Sequence, residues 1–138
     1  MTSEMMKLVL WRAEYSERPY FGHGSYWAID RGTAESFGHW LSTLSTREAM
    51  TRRGIPVSEV SIYRATIETP TIQIADFRPL FDLRRNFWDD HVKSKFTRLA
   101  DLGVEWVIFF DWWYPDSTRT ATQVVYIGTE PITVEPAQ

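Results

Sequence analysis

The stretch Gly24-Ser25-Tyr26-Trp27-Ala28-Ile29-Asp30-Arg31-Gly32-Thr33-Ala34-Glu35-Ser36-Phe37 changes its period partway along. Ser25 to Ile29 is short, apolar and aromatic, the composition of a strand. Asp30-Arg31-Gly32 then turns the chain, and Thr33 reads as a helix N-cap. From there Ala34, Phe37, Trp40, Leu41 and Leu44 recur at helical spacing and define one apolar face. Upstream, Met6 to Trp11 is an apolar run that ends at Arg12 and predicts the first strand. Residues 13–24 carry Pro19, Gly22 and Gly24 and read as a loop.

Downstream, residues 45–57 are polar, hold Gly54 and Pro56, and predict an exposed excursion. Glu59 to Glu68 alternates apolar and polar residues, which predicts a longer strand, and Thr71 to Ala75 a further short one. Leu80, Phe81 and Leu83 fit a short helical turn. Asn86 suits the cap of a helix with Asp89 and Asp90 in its first turn, where carboxylates favour the dipole. Phe87, Trp88, Val92, Phe96, Leu99 and Ala100 give that helix a buried face, and Gly103 ends it. Val104 to Phe110 has almost no polar interruption and predicts a central strand. Gln123 to Ile127 and Ile132 to Val134 are the last strands. Strands outnumber alternating strand–helix units, so the fold class is α+β with mixed or antiparallel sheets, in one domain over residues 1–138.

Composition narrows the functional classes. The chain has 15 Lys and Arg against 18 Asp and Glu, a net charge of -3 that argues against a nucleic-acid partner. A local basic patch such as Arg47, Arg52 and Arg53 is the exception to that balance. With no cysteine, neither a disulfide framework nor a thiolate zinc site can form. The histidines, His23, His39 and His91, have no metal-ligand spacing, so no metal is expected. The first residues lack the pattern of a signal peptide, and no apolar run reaches the roughly 18 residues of a membrane span. The expectation is a cytoplasmic protein without a membrane partner. Phosphate-loop, dinucleotide-fingerprint, zinc-protease and serine-hydrolase motifs are all missing.

Three places carry chemistry. Arg12 closes the first strand, where a guanidinium offers a rigid fork to phosphate or carboxamide oxygen. In Gly22-His23-Gly24-Ser25-Tyr26-Trp27, small residues allow close backbone approach, and a hydroxyl and rings stand ready to bind. Phe110-Asp111-Trp112-Trp113-Tyr114 sets a carboxylate before adjacent rings, which predicts a ligand or partner surface. Each has a plainer alternative: a solvated strand end, a loop feeding a core strand, and an ordinary turn.

The order of these motifs resembles the ADP-ribosyltransferase-like family. Lys7-Leu8-Val9-Leu10-Trp11-Arg12 is similar to its first strand, which ends in an Arg or His that holds NAD. Gly24 to Asp30, followed by Thr33-Ala34-Glu35-Ser36-Phe37, is similar to its second strand and the helix after it. Leu102 to Ile108 and Gln123 to Ile132 are similar to its closing strands. The resemblance implies two small mixed or antiparallel sheets flanking a cleft, with a few helices. It implies NAD as substrate, with Arg12, Gly24, Ser25 and Tyr26 binding it. Most active members have a Glu where Gln123 stands, and Asp111 is the substitute the chain offers, as in small phage-encoded members of similar length. The implied activity is ADP-ribose transfer to a target protein by a phage or bacterial effector, in its own or a host cytoplasm. The alternative is an inactive member that binds and inhibits a partner.

Overall fold

A computed structural model describes residues 4–80, 96–112 and 120–137. It is a mixed α+β structure built on a seven-stranded sheet. In chain order the elements are β1 (Met5–Tyr15), β2 (Tyr26–Ala28), α1 (Arg31–Ser42), α2 (Leu44–Arg52), β3 (Val60–Pro70), β4 (Ile74–Asp76), α3 (Phe96–Asp101), β5 (Trp106–Trp112), β6 (Thr120–Tyr126) and β7 (Glu135–Pro136). The strand order is β4-β5-β6-β2-β1-β3-β7. β4 and β5 are parallel; every other neighbouring pair is antiparallel.

The two small sheets implied by the family resemblance are corrected to one continuous strand order. The continuity is thin at one point. β1 and β3 are in register along their whole length, from Met5↔Pro70 to Tyr15↔Val60. β5 and β6 pair from Trp106↔Tyr126 to Trp112↔Thr120. Between these two well-sewn halves, β1 meets β2 through the single pair Trp11↔Ala28.

β1 does not stop at Arg12; it continues to Tyr15. Leu8 and Leu10 are buried on one face with Trp27, Ala65, Trp106, Ile108, Val124 and Tyr126. Ala13 and Tyr15, at the opposite parity, are buried against Leu41 of α1. Side chains of a strand alternate between faces, so the core contact changes sides at Trp11–Arg12. That change breaks the apolar alternation and hides the second half of the strand from a reading of pattern alone. A third cluster, Val107, Phe109, Val125 and Ile127, is backed by Phe96 and Leu99 of α3. β5 is thus buried on both faces, although it lies second from the sheet edge and not at its centre.

Several boundaries move for local reasons. Asp30, not Thr33, caps α1: its carboxylate accepts from the Thr33 N–H at 2.7 Å and from the Thr33 hydroxyl at 2.6 Å. The polar stretch after α1 contains α2, whose one buried residue is Thr46; a helix with so narrow an apolar face leaves little trace in hydropathy. Thr71–Gln73 is a 3-10 turn, and β4 follows it. Ile132 and Val134 pack on the first core cluster, and β7 forms just after them, Glu135 in register with Arg64. The Asn86 cap, His91 and the helix expected before Phe96 lie outside the described residues, as do Trp113 and Tyr114. No helix among the described residues is long and apolar enough to cross a membrane.

Candidate functional site

The cleft opens where β1 and β2 part. Ala28 and Trp11 are paired, but the next pairs that an antiparallel ladder would form, Arg12 with Trp27 and Ala13 with Tyr26, are absent from the register. In their place the Arg12 side chain crosses the gap, its Nη1 donating to the Tyr26 carbonyl at 2.6 Å. The strands diverge beyond this bridge and α1 covers the opening. The resulting cleft has a volume of about 450 Å³, within the roughly 300–1,000 Å³ of small-molecule sites.

Its lining comes from five elements and the loops beside them. β1 contributes Trp11 through Tyr15, and β2 contributes Tyr26, Trp27 and Ala28 with Gly24 just before it. Thr33, Ala34, Phe37 and Leu41 come from α1, Met50 and Ile55 from α2 and the turn after it, and Gln123 from β6. Arg12, Gly24, Tyr26 and Gln123, drawn from three separate segments of the chain, therefore line one cavity. Gln123 arrives there because it stands in register with Ala28 on one side and Phe109 on the other.

Ser25 does not reach the cleft. It is 2% exposed, and its hydroxyl accepts from the Trp27 indole Nε1–H at 2.9 Å. It stands next to Tyr26 in the chain, so strand alternation turns it to the opposite face, where it anchors a core tryptophan. Gly24 has φ +84°, and a side chain there would meet no neighbour. Conformation, not space, therefore asks for glycine; its N–H donates to the Tyr126 carbonyl at 2.6 Å. Tyr26 sets its ring edge-on to Phe109, centroids 6.1 Å apart. Asp111 lies in β5 in register with Ala121, two residues beyond the Phe109↔Gln123 pair. Its side chain, like that of Trp112, is outside the described part of the structure.

Among the described residues, the charged groups that line the cleft are Arg12 and Glu14, and they face each other. Arg12 Nη2 donates to Glu14 Oε1 at 2.9 Å, with the two side chains 19% and 18% exposed. The second Glu14 oxygen, Oε2, accepts the N–H of Tyr20. Arg12 Nε is buried without a hydrogen-bond partner. A guanidinium carries five N–H donors, so Arg12 retains capacity for a ligand even while bridging the strands. Tyr15 sits deeper in the wall, its phenol donating to the Leu41 carbonyl at 2.7 Å. Burial pushes that phenol above its ordinary pKa of 10.0, partly offset by the charge of Arg47. Trp11 is flanked outside the cleft by the guanidinium carbons of Arg31 and Arg64, 5.4 and 5.8 Å from its ring centroid. Among the described residues, no group of three His, Asp or Glu side chains gathers where a metal ion could bind.

In the sequence Glu14 stands, with Glu35, only as a fallback acid near the first two motifs, behind Asp111 and Gln123. The signal is its spacing: two residues after Arg12 on a strand is the same face. It becomes usable only once β1 is known to continue past Arg12. No known protein family, curated protein or solved structure matches this chain.

Proposed function

We propose that the chain is an ADP-ribosyltransferase-like protein that binds NAD in the cleft between β1, β2 and α1. The observation that carries this reading is the convergence of Arg12, Gly24, Tyr26 and Gln123, from three separate segments, on one cavity of ligand size. The aromatic wall supplies flat surface for planar rings, and Arg12 supplies a fixed hydrogen-bonding fork. In the reaction, the bond between nicotinamide and the ribose carbon breaks and its electron pair leaves with nicotinamide. Positive charge develops on the ribose, a target nucleophile bonds to the same carbon, and its proton passes to solvent. A carboxylate facing that charge lowers the barrier; Asp111 is assigned that role, with Gln123 orienting the ribose hydroxyls.

Nicotinamide release from NAD, alone and with candidate acceptor lysate, tests the reading. Asp111→Ala is expected to lower turnover on the order of a hundredfold with little change in NAD affinity, because the charge it faces exists only in the transition state. Arg12→Ala should weaken NAD binding as well. Wild-type turnover left intact by Asp111→Ala removes Asp111 as the acid. The absence of any NAD binding removes the reading itself. Two observations favour a second reading, an inactive member that inhibits a partner. Gln123 has no charge, and both oxygens of Glu14 are already engaged. NAD binding without nicotinamide release would select it.

A further inference from the structure

We infer that Glu14 is a specificity-determining residue, which tunes the cleft to the nucleoside end of its ligand and against phosphate. The inference rests on the cleft's reading as a nucleotide site. The relevant fact is local charge. A phosphate-binding cleft presents excess positive charge or a row of backbone N–H groups. Among the described residues the lining offers one guanidinium, and a carboxylate is hydrogen-bonded directly to it. The pair has no net charge, and its position is held at both ends. Arg12 is tied to the Tyr26 carbonyl, and Glu14 to the Tyr20 N–H.

An anion that approached the free N–H groups of Arg12 would also approach Glu14 Oε1, 2.9 Å from the Arg12 Nη2 atom. Like charges at such range repel strongly when both are shielded from water, and both side chains are mostly buried. A group that offers an acceptor to Arg12 and a donor to Glu14 meets no such penalty. Carboxamides and vicinal ribose hydroxyls both do this. Glu14 also attracts a cationic ring, such as the pyridinium of nicotinamide riboside. Elsewhere the described lining carries no charge: Phe37, Leu41 and Met50 are apolar, and Thr33, Tyr26 and Gln123 present only neutral polar groups.

Calorimetric titration of the full chain with nicotinamide, nicotinamide riboside, ADP-ribose and inorganic pyrophosphate tests this, in wild type, Glu14→Gln and Glu14→Asp. Nicotinamide against its riboside separates carboxamide from ribose recognition. Wild type should bind nicotinamide riboside more tightly than ADP-ribose. Glu14→Gln should shift that preference toward ADP-ribose and pyrophosphate by roughly tenfold or more, the scale of removing one close charge from a partly shielded site. Glu14→Asp keeps the charge and should retain the wild-type preference. If Asp behaves like Gln, the effect belongs to the Tyr20 tether and not to charge, and the inference falls. It falls also if Glu14→Gln leaves the ratio unchanged, or if wild type binds pyrophosphate as tightly as the riboside. Failure of the NAD reading looks different. There, no nicotinamide compound binds wild type, while Glu14→Gln gains affinity for pyrophosphate and exclusion by Glu14 stands. No gain in that case overturns both.

Discussion

β2 is joined to its two neighbours in different ways. On the β6 side its three residues, Tyr26, Trp27 and Ala28, are all in register, with Val125, Val124 and Gln123. On the β1 side one residue is in register, and a side chain then replaces the ladder. The first seam is backed by buried Trp27 and Val124 and leaves no room between the strands. The second opens directly onto the cleft. A guanidinium reaching a carbonyl thus does two things that a further ladder pair could not. It gives the Tyr26 carbonyl a donor where the β1 ladder is not continued, and it leaves space for a ligand beside it.

The largest expected effect lies at the closed seam. Trp27 is 1% exposed, and Trp27→Ala removes its contacts with the core and the partner of the Ser25 hydroxyl. The expected loss is about 3–5 kcal/mol of unfolding free energy, read from urea denaturation. A loss under about 1 kcal/mol would mean that the ladder alone, not the packing behind it, holds this side.

Arg12→Ala strikes the open seam and should cost less, about 2 kcal/mol. It takes the donor from the Tyr26 carbonyl and leaves Glu14 without its cation. Partial solvent access to both side chains keeps the figure below that of a fully buried pair. Amide exchange should separate the seams further: faster along residues 12–15 in the variant, unchanged along β6. Equal acceleration on both sides would show that the two halves of the sheet open together.

The smallest effect is a pH dependence with one contributor on each side. Tyr126 on β6 and Tyr15 on β1 both have phenols raised above the ordinary 10.0. Burial is the main cause in each, and the charge of Glu105 adds to it at Tyr126. Above about pH 10 the unfolded chain releases these protons while the folded chain still holds them. Stability is therefore complete below that pH and falls as pH rises through the folded values. Thermal unfolding between pH 8 and about 11 checks the sign. Tyr15→Phe should remove part of the alkaline loss, because the titrating group of the open side is gone. An alkaline slope steeper in the variant than in wild type would contradict the assignment.

The sequence by itself determined which segments are strand and which helix at β2, α1 and β5. There period and composition agree, and the capping Asp30 lies within three residues of the residue that the pattern proposes. It also determined that strands outnumber strand–helix units, and it singled out Arg12, Gly24, Tyr26 and Gln123. Tertiary structure decided the rest. Alternation along a strand reports that faces differ but not what covers each one. The switch of core contact between Leu10 and Ala13 therefore made a continuous strand look like its end. The same limit placed Ser25 among the binding residues, when its neighbour Tyr26 takes the cleft face and Ser25 the core. Glu14 needed both facts at once, a β1 that continues and a β2 that diverges. The gap it occupies exists because two strands pair at one residue and then part, a relation between segments that no single stretch of sequence contains.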